Sequence, residues 1–488
     1  MHAKGRLLRP LQQLPGRFST VFLMASTLSS NFSESAMPLL ASRNYRCKCG
    51  QPVYFRNSAC LTCGTPLGYD CEQSLVFPLM AAAQPSQPDQ PNAAPLWQVW
   101  QPTAANTAAM NPADAPPQLQ DIPGQQSAPP LQAPPADPSA PPVQEPLPDH
   151  LPDPAPSTPA AQLYKRCLNR ATPAACNWLI SAHDPQDFCR ACRLNRTIPD
   201  LTDASQPDNG YLWGLVETAK RRLVSSLIIL GLPVASKVTE DPELGLMFDL
   251  LRAPPGGKPV MTGHESGLIT LNVDEADDAT RELARKAMRE PYRTLLGHFR
   301  HEVGHYYWDR LVAGTPWLDG FHQLFGDESA DYAASLQRNY SEGPPPDWPQ
   351  RFVSAYASTH PWEDWAECWA HYLHMRDAID TARGFGLIAS LNVDQADLEF
   401  TPFTLNALWQ PDHPEAEHFL AFLNHWNRLT LMLNQMSRSM GQPDFYPFAL
   451  PQNVLAKLQF IHLVVTSEQA PADMPRTTAQ TDPVPMAA

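Results

Sequence analysis

The chain has 488 residues, of which 54 are proline, and a formal net charge of −15. This acidity disfavours non-specific binding to nucleic acids, because the phosphate backbone is also negative. No stretch approaches the roughly 18 apolar residues that a membrane-spanning helix needs. Composition therefore argues against a membrane-spanning protein and against a general nucleic-acid binder.

Residues 1–41 do not resemble part of a folded domain. Four basic residues, ending at Arg17, precede a short apolar stretch from Phe18 to Leu28. Ser and Thr interrupt that stretch, so it is a poor match for a secretion signal. We interpret 1–41 as a disordered N-terminus, or as the result of a misassigned start with Met37 as the true initiator.

Two further regions have the composition of disordered chain. Of the prolines, 23 fall between Pro78 and Pro159, where branched aliphatic residues are scarce. Such a segment cannot bury enough apolar surface to offset its conformational entropy. We interpret 75–160 as a disordered linker rich in Pro, Ala and Gln, and 466–488 as a disordered tail.

Eight of the ten cysteines form two sets that resemble groups of metal ligands. The first set predicts a four-thiolate zinc ribbon at 42–74 and consists of Cys47, Cys49, Cys60 and Cys63. Paired short-spaced cysteines hold structural zinc, and so small a segment depends on its metal to fold. Metal-like sets, rather than a scattered disulfide framework, indicate a reducing compartment, and we expect the cytoplasm.

The second set lies at 161–200 and consists of Cys167, Cys176, Cys189 and Cys192. A second structural zinc is the interpretation we prefer. The alternative is that some of these residues are buried thiols or a redox pair.

Residues 201–465 read as one α+β body, mostly helical with a small sheet. Apolar periodicity predicts a helix at Leu212–Leu230. Branched residues bounded by Gly and Asp predict strands at Leu246–Leu251 and Gly267–Val273. Further helices are predicted at Ala279–Glu290, Tyr292–Val312, Asp327–Asn339, Pro349–Tyr356 and Pro361–Ala378.

The helix predicted at 292–312 contains an H-E-x-x-H motif. His301 and His305 are four residues apart, so their imidazoles lie about 40° apart on one helix face and can bind one metal ion. Glu302 points elsewhere and can take a proton from a zinc-activated water. The motif predicts a catalytic zinc ion, with Glu302 as the general base, in addition to the one or two structural zinc ions.

The helix that begins at Pro361 carries candidates for a third ligand. Its segment PWEDWAECWAH resembles the second helix of glutamate zincins, which reads E-x-x-A-E-x-(aromatic). The resemblance implies that Glu363 is the third ligand and that Glu367 bonds a ligand imidazole. Glu367 itself and Glu328 remain alternative ligands. A further alternative is that the carboxylates of this helix bind no metal and form a solvent-exposed acidic face.

The same segment is similar to the catalytic domain of anthrax lethal factor, where a tyrosine seven residues before the ligand glutamate stabilises the oxyanion. This similarity implies that role for Tyr356, which stands seven residues before Glu363. The alternative is that Tyr356 only packs its own helix. We also expect Gly267–Asn272 to be the edge strand that pairs with substrate, and Asp327 to cap a helix.

His264 and His298 lie close to the motif in sequence but are not expected to bind the metal. We expect His264 to be a loop residue or to lie just outside the ligand set, and His298 to pack or hydrogen-bond.

Longer blocks resemble a bacterial family of zinc-binding metallopeptidases with an N-terminal zinc ribbon. These blocks are RCKCGQPVYFRNSACLTCGTPLGY, CNWLI, CRLNRTIPDL, AKRRLVSSLIILGLP, VMTGHESGLITLN, EPYRTLLGHFRHEVGHYYWDRL, FGDESADYA and HPWEDWAECWAHYLH. The resemblance implies a zincin-like body and hydrolysis of a peptide or protein substrate. Two rival functions stay open: a non-catalytic, zinc-stabilised protein-binding module and a nucleic-acid-associated regulatory factor.

Overall fold

The computed structural model describes residues 41, 43–82, 95–101, 162–288, 290–390, 400 and 410–469. The predictions for residues 1–40, for most of the linker and for residues 470–488 lie outside this range. Within it the architecture is α+β, with short strands at the N-terminal end and a mostly helical body, as the sequence predicts.

The N-terminal region forms two antiparallel sheets. Strands β1 and β2 pair with each other, and the five-stranded sheet has the order β3-β4-β5-β6-β7. The strands are β1 (Tyr45–Arg46), β2 (Pro52–Val53), β3 (Leu67–Asp70), β4 (Leu75–Ala81), β5 (Trp97–Val99), β6 (Leu163–Arg166) and β7 (Leu179–Ser181). Strands from both cysteine regions thus belong to one sheet.

The predicted limits of the linker are therefore wrong at its N-terminal side. Strands β4 and β5 lie within 75–160, and Trp97 in β5 pairs with Tyr164 in β6. The apolar run from Leu75 to Met80 has the composition of a strand and finds partners that composition alone could not identify. The regions 42–74 and 161–200 are accordingly not separate segments.

The sheet of the body has the order β10-β11-β9-β8. Its strands are β8 (Asn195–Thr197), β9 (Met247–Leu251), β10 (Gly263–Glu265) and β11 (Leu268–Asn272). The predicted strands at 246–251 and 267–273 are confirmed, but the assignment of Gly267–Asn272 to the edge is wrong. The turn at Ser266 and Gly267 folds β10 back antiparallel onto β11, so β10 occupies that edge.

Helices make up most of the body. They are α1 (Asn209–Ile229), α2 (Asp278–Met288), α3 (Leu295–Leu311), α4 (Leu318–Leu324), α5 (Tyr332–Glu342), α6 (Trp348–Arg351), α7 (Pro361–Gly384), α8 (Leu387–Ser390), α9 (Ala416–Ser439) and α10 (Gln452–Gln469). None of these described helices combines the length and apolar character that crossing a membrane requires.

Most predicted helices are confirmed within a few residues, and three details are wrong. Asp331, rather than Asp327, caps α5 by accepting from the amide of Ala334 at 2.9 Å. The helix predicted at 349–356 is only the short α6, followed by a 3₁₀ turn at Tyr356–Thr359. Helix α10 continues to Gln469, because its apolar face from Val454 to Val465 packs into the core, and so it extends into the predicted tail.

Helices α3 and α7 cross at the centre of the body. A Cβ atom on Gly304 would lie 2.9 Å from Cα of Ala366, so only glycine permits this approach. The indole of Trp365 donates to the carbonyl of Gly304 at 2.8 Å, and Trp369 stacks on Tyr307 at 5.1 Å. This crossing brings the N-terminal turn of α7 beside the H-E-x-x-H turn of α3.

Candidate metal centres

The two histidines of the motif lie on one face of α3. Thr294 caps this helix by accepting from the amide of Gly297 at 3.0 Å, which sets where the helix begins. The rings of His301 and His305 are 5.0 Å apart. His305 is buried, whereas the side chain of His301 keeps 14% of its exposure.

Glu363 reaches the same point from the first turn of α7. His360 caps that helix through Nδ1, and Pro361 occupies its first turn, where an amide donor is not needed. Oε2 of Glu363 lies 3.1 Å from Nε2 of His301, and Oε1 lies 3.7 Å from Nε2 of His305. Burial raises the pKa of Glu363, but the neighbouring imidazoles and the phenol of Tyr332 lower it to about 2. Its carboxylate is therefore ionised, as a metal ligand must be.

These three side chains fit a zinc ion. Their ligand atoms all lie within 4.8 Å of one another. For metal–ligand distances of about 2.0–2.1 Å, the edge of a tetrahedron is about 3.3 Å, close to the 3.1 Å between Oε2 of Glu363 and Nε2 of His301. Oε2 of Glu363 is also buried without a hydrogen bond from the described residues, and such an oxygen calls for a partner.

Further contacts orient His301. Its Nδ1 atom lies 2.8 Å from Oε1 of Glu367, and Oε2 of Glu367 accepts from the hydroxyl of Ser354 at 2.7 Å. Glu367 thus lies behind an imidazole rather than with the three converging ligand atoms. The sequence does not predict a role for Ser354, because nothing in its local sequence indicates this contact.

Glu302 and Tyr356 both lie near the three candidate ligands. Glu302 is 9% exposed, and burial raises the pKa of its carboxyl to about 7. The ring of Tyr356 lies 6.0 Å from that of His301, in the 3₁₀ turn before α7. Burial also raises the pKa of Tyr356, so its phenol keeps its proton and can donate it in a hydrogen bond.

Two aromatic residues at this site were not singled out from the sequence. The ring of Trp362 lies 4.5 Å from that of His305. The hydroxyl of Tyr332 donates to Oε1 of Glu363 at 2.6 Å. Tyr332 belongs to the block FGDESADYA, but local spacing does not indicate which side chain it meets.

The remaining polar candidates lie outside the three converging ligands. His264 is on β10, with its ring stacked 6.3 Å from that of His305. Nδ1 of His298 lies 2.5 Å from Oε2 of Glu275 and not among the three ligands. Glu328 pairs instead with His322 at 2.6 Å and does not join His301 and His305.

Each cysteine set forms a cluster of four sulfurs. Sγ of Cys47 lies 3.6 Å from that of Cys63, and Sγ of Cys49 lies 3.7 Å from that of Cys60. The edge of a tetrahedron with Zn–S distances of 2.3 Å is about 3.8 Å, whereas a disulfide is about 2.05 Å long. The first set therefore has the geometry of a four-thiolate zinc site.

The second set is more deeply buried. Its members are Cys167, Cys176, Cys189 and Cys192. Sγ of Cys176 lies 3.7 Å from that of Cys189, and none of the ten cysteines is in a disulfide. The same tetrahedral spacing makes this set a second candidate zinc site.

Comparisons with known proteins agree with this geometry. Residues 209–464 match the family described as "Putative zinc-binding metallo-peptidase", and residues 44–108 and 154–203 match a zinc-ribbon domain. Uncharacterized proteins of Mycobacterium tuberculosis and Mycobacterium bovis are 44% identical over 310 residues, which is 63% of this chain and 84% of theirs. No solved structure matches. Because the matching family model covers more than half of the chain, the protein belongs to the family that this description names.

Proposed function

We propose that the protein is a zinc-dependent endopeptidase of the glutamate-zincin type. The observation that carries the proposal is the convergence of His301, His305 and Glu363 within 4.8 Å, with Glu302 next to the first ligand. Catalytic zinc sites have three protein ligands and one open position, whereas structural sites have four. The difference between this trio and the two four-cysteine clusters supports a catalytic role.

Zinc bound here would polarise the carbonyl of the scissile peptide bond and lower the pKa of a water molecule in its open position. Glu302 would accept the proton of that water and pass it to the leaving amine. Tyr356 would donate its phenolic hydrogen to the developing oxyanion, an interaction that is strongest in the transition state. Glu367, held by Ser354, would keep His301 in the orientation that directs Nε2 towards Glu363.

The substrate that we propose is a narrow set of intracellular proteins. The two cysteine clusters have the sulfur spacing of metal sites and no disulfides, which is typical of proteins in a reducing compartment such as the cytoplasm. A peptidase that cut every protein in that compartment would harm its host. Incubation with a denatured proteome followed by sequencing of new termini should find few cleavage sites, and abundant cuts without sequence preference would contradict this.

The first experiment measures zinc per chain in the wild type and in two variants. We expect three zinc ions in the wild type, one in each four-cysteine cluster and one at His301, His305 and Glu363, and we expect two in His301→Ala and three in Glu302→Gln. Cleavage of a peptide library should be lost in both variants. His298→Ala, one turn earlier on α3 and paired with Glu275, is the matched control and should keep three zinc ions.

The outcomes separate the peptidase from its rivals. Full zinc content in His301→Ala would contradict the metal site. Zinc without cleavage of any peptide would favour a non-catalytic, zinc-stabilised binding module. Tight, salt-dependent binding of DNA or RNA despite the net charge of −15 would favour a nucleic-acid-associated factor.

A further inference from the structure

Tyr332 contacts the acidic ligand from outside the motif. It is the first residue of α5, and its hydroxyl donates to Oε1 of Glu363 at 2.6 Å. Its ring packs edge-on against His360 at 5.2 Å and against Trp362 at 6.3 Å. His360 caps α7 and Trp362 lies in its first turn, so the phenol is held by the same end of the helix that presents Glu363.

The two oxygens of Glu363 are consequently different. Oε1 accepts the short hydrogen bond from Tyr332, which offsets part of its negative charge. Oε2 is buried without a hydrogen bond and lies 3.1 Å from Nε2 of His301. A carboxylate can bind a metal through one oxygen or both. Here only Oε2 has no hydrogen bond that offsets part of its negative charge.

A defined set of contacts holds Tyr332 in place. Nδ1 of His360 accepts from the amide of Trp362 at 3.1 Å, so its Nε2 carries the proton and donates to the carbonyl of Ala330 at 3.0 Å. Asp331 then caps α5. His360 thereby joins the beginnings of α5 and α7, and the position of the Tyr332 hydroxyl relative to Glu363 is fixed from both helices.

We infer that Tyr332 is a positioning residue that makes Glu363 bind zinc through Oε2 alone. A second bond from the same carboxylate would fill coordination space that a catalytic site needs for water or substrate. By occupying Oε1, Tyr332 keeps that space open and fixes the orientation of the ligand. This inference rests on the proposed function, because it takes the trio of His301, His305 and Glu363 to hold zinc.

The test is Tyr332→Phe, which removes the hydroxyl and keeps the ring against His360 and Trp362. We expect the dissociation constant of the third zinc, measured by chelator competition, to rise about 10- to 100-fold, as for other contacts behind a metal ligand. The two cysteine sites should keep their zinc. Tyr340→Phe is the matched control, because Tyr340 lies on the same helix and is 68% exposed. The affinity of this variant for the third zinc should match that of the wild type.

Cobalt provides a readout that a general loss of packing would not change. Cobalt(II) is loaded into the third site of protein that keeps zinc in both cysteine sites, and the spectrum of His301→Ala is subtracted. The visible d–d absorption weakens as cobalt gains a ligand. We expect the weaker, higher-coordinate spectrum in Tyr332→Phe and the stronger spectrum in the wild type and in Tyr340→Phe.

The possible results are distinguishable. Unchanged zinc affinity in Tyr332→Phe, or a cobalt spectrum identical to that of the wild type, would overturn the positioning role while leaving the zinc site intact. A wild-type chain that binds only two zinc ions would overturn the proposed function, and this inference with it. Weaker binding together with the spectral change in Tyr332→Phe alone would support the inference.

Discussion

Replacement of Gly304 by alanine should disturb the zinc site from a distance. The new Cβ would lie 2.9 Å from Cα of Ala366 and 3.3 Å from its Cβ. Carbon atoms in contact are normally at least 3.5 Å apart, so the helices must separate by about 0.6 Å. Because the obstacle is backbone, no side-chain rotation can relieve it. Glu363 is three residues from Ala366 on α7 and should move with that helix.

The energetic effects of Gly304→Ala oppose one another. Alanine favours the helix by about 1 kcal/mol, whereas overpacking of this kind costs about 1–3 kcal/mol. We expect a net destabilisation of up to about 2 kcal/mol, which corresponds to a decrease of up to roughly 8 °C in the unfolding temperature of a body of this size. We also expect the affinity for the third zinc to fall about 10-fold, because ligands must stay within about 0.5 Å of productive geometry.

Thermal unfolding and chelator competition measure these two effects, and Gly297→Ala is the control. Gly297 lies on the same helix, but its Cβ would meet only side-chain atoms, the nearest being Oγ1 of Thr294 at 3.1 Å. This variant should keep its zinc affinity, and its free energy of unfolding should rise by up to about 1 kcal/mol. Wild-type stability and zinc affinity in Gly304→Ala would refute the view that the close crossing of α3 and α7 sets the ligand geometry.

Three further predictions concern the rest of the molecule. Buried Asp377 lies among the guanidiniums of Arg43, Arg222 and Arg300. Burial raises the pKa of Asp377, but these guanidiniums hold it well below its usual range. Its stabilising effect should be present above about pH 4 and lost as the pH falls further. Asp377→Asn should therefore lower the free energy of unfolding by about 3–5 kcal/mol at neutral pH. If the free energy of unfolding fell equally with acid pH in the variant and in the wild type, this prediction would be contradicted. Cys189→Ser should lower the zinc content from three to two, whereas a redox pair would leave the zinc content unchanged and alter the thiol titre. Replacement of residues 102–161 by a short Gly-Ser linker should preserve three zinc ions and the unfolding temperature, because the β5–β6 pairing brings the flanking residues together; loss of the cysteine-bound zinc would refute it.

The local parts of the site follow from the sequence. His301 and His305 share a face because the backbone of any α-helix puts residues four apart on one side. The cysteine pairs Cys47–Cys49, Cys60–Cys63 and Cys189–Cys192 can also be recognised from the sequence, since their short spacings leave little freedom in how the thiols of one pair meet. The strands at 247–251 and 268–272 and the helices α1, α3 and α7 also follow local periodicity. These features depend on neighbours within about one or two turns of chain.

Contacts between residues that are far apart in the sequence could be identified only from the tertiary structure. Glu363, Glu367 and Glu328 are all acidic residues after the motif, and only the crossing at Gly304 decides that Glu363 meets both imidazoles while Glu367 lies behind one. The hydroxyl of Tyr332 reaches Glu363 across 31 residues, and no periodicity encodes that contact.

The same division explains the errors in organisation. Strands β4 and β5 were assigned to a linker because composition reports how much apolar surface a segment has, not where its partners lie. The prediction placed Gly267–Asn272 at the edge of the body sheet, because the residues of a strand do not indicate which strands will pair with it. The sequence by itself thus determined the chemistry available, through residue types and local spacing. Long-range packing decided which of those groups share a site, because helix crossings and strand pairings depend on the whole core.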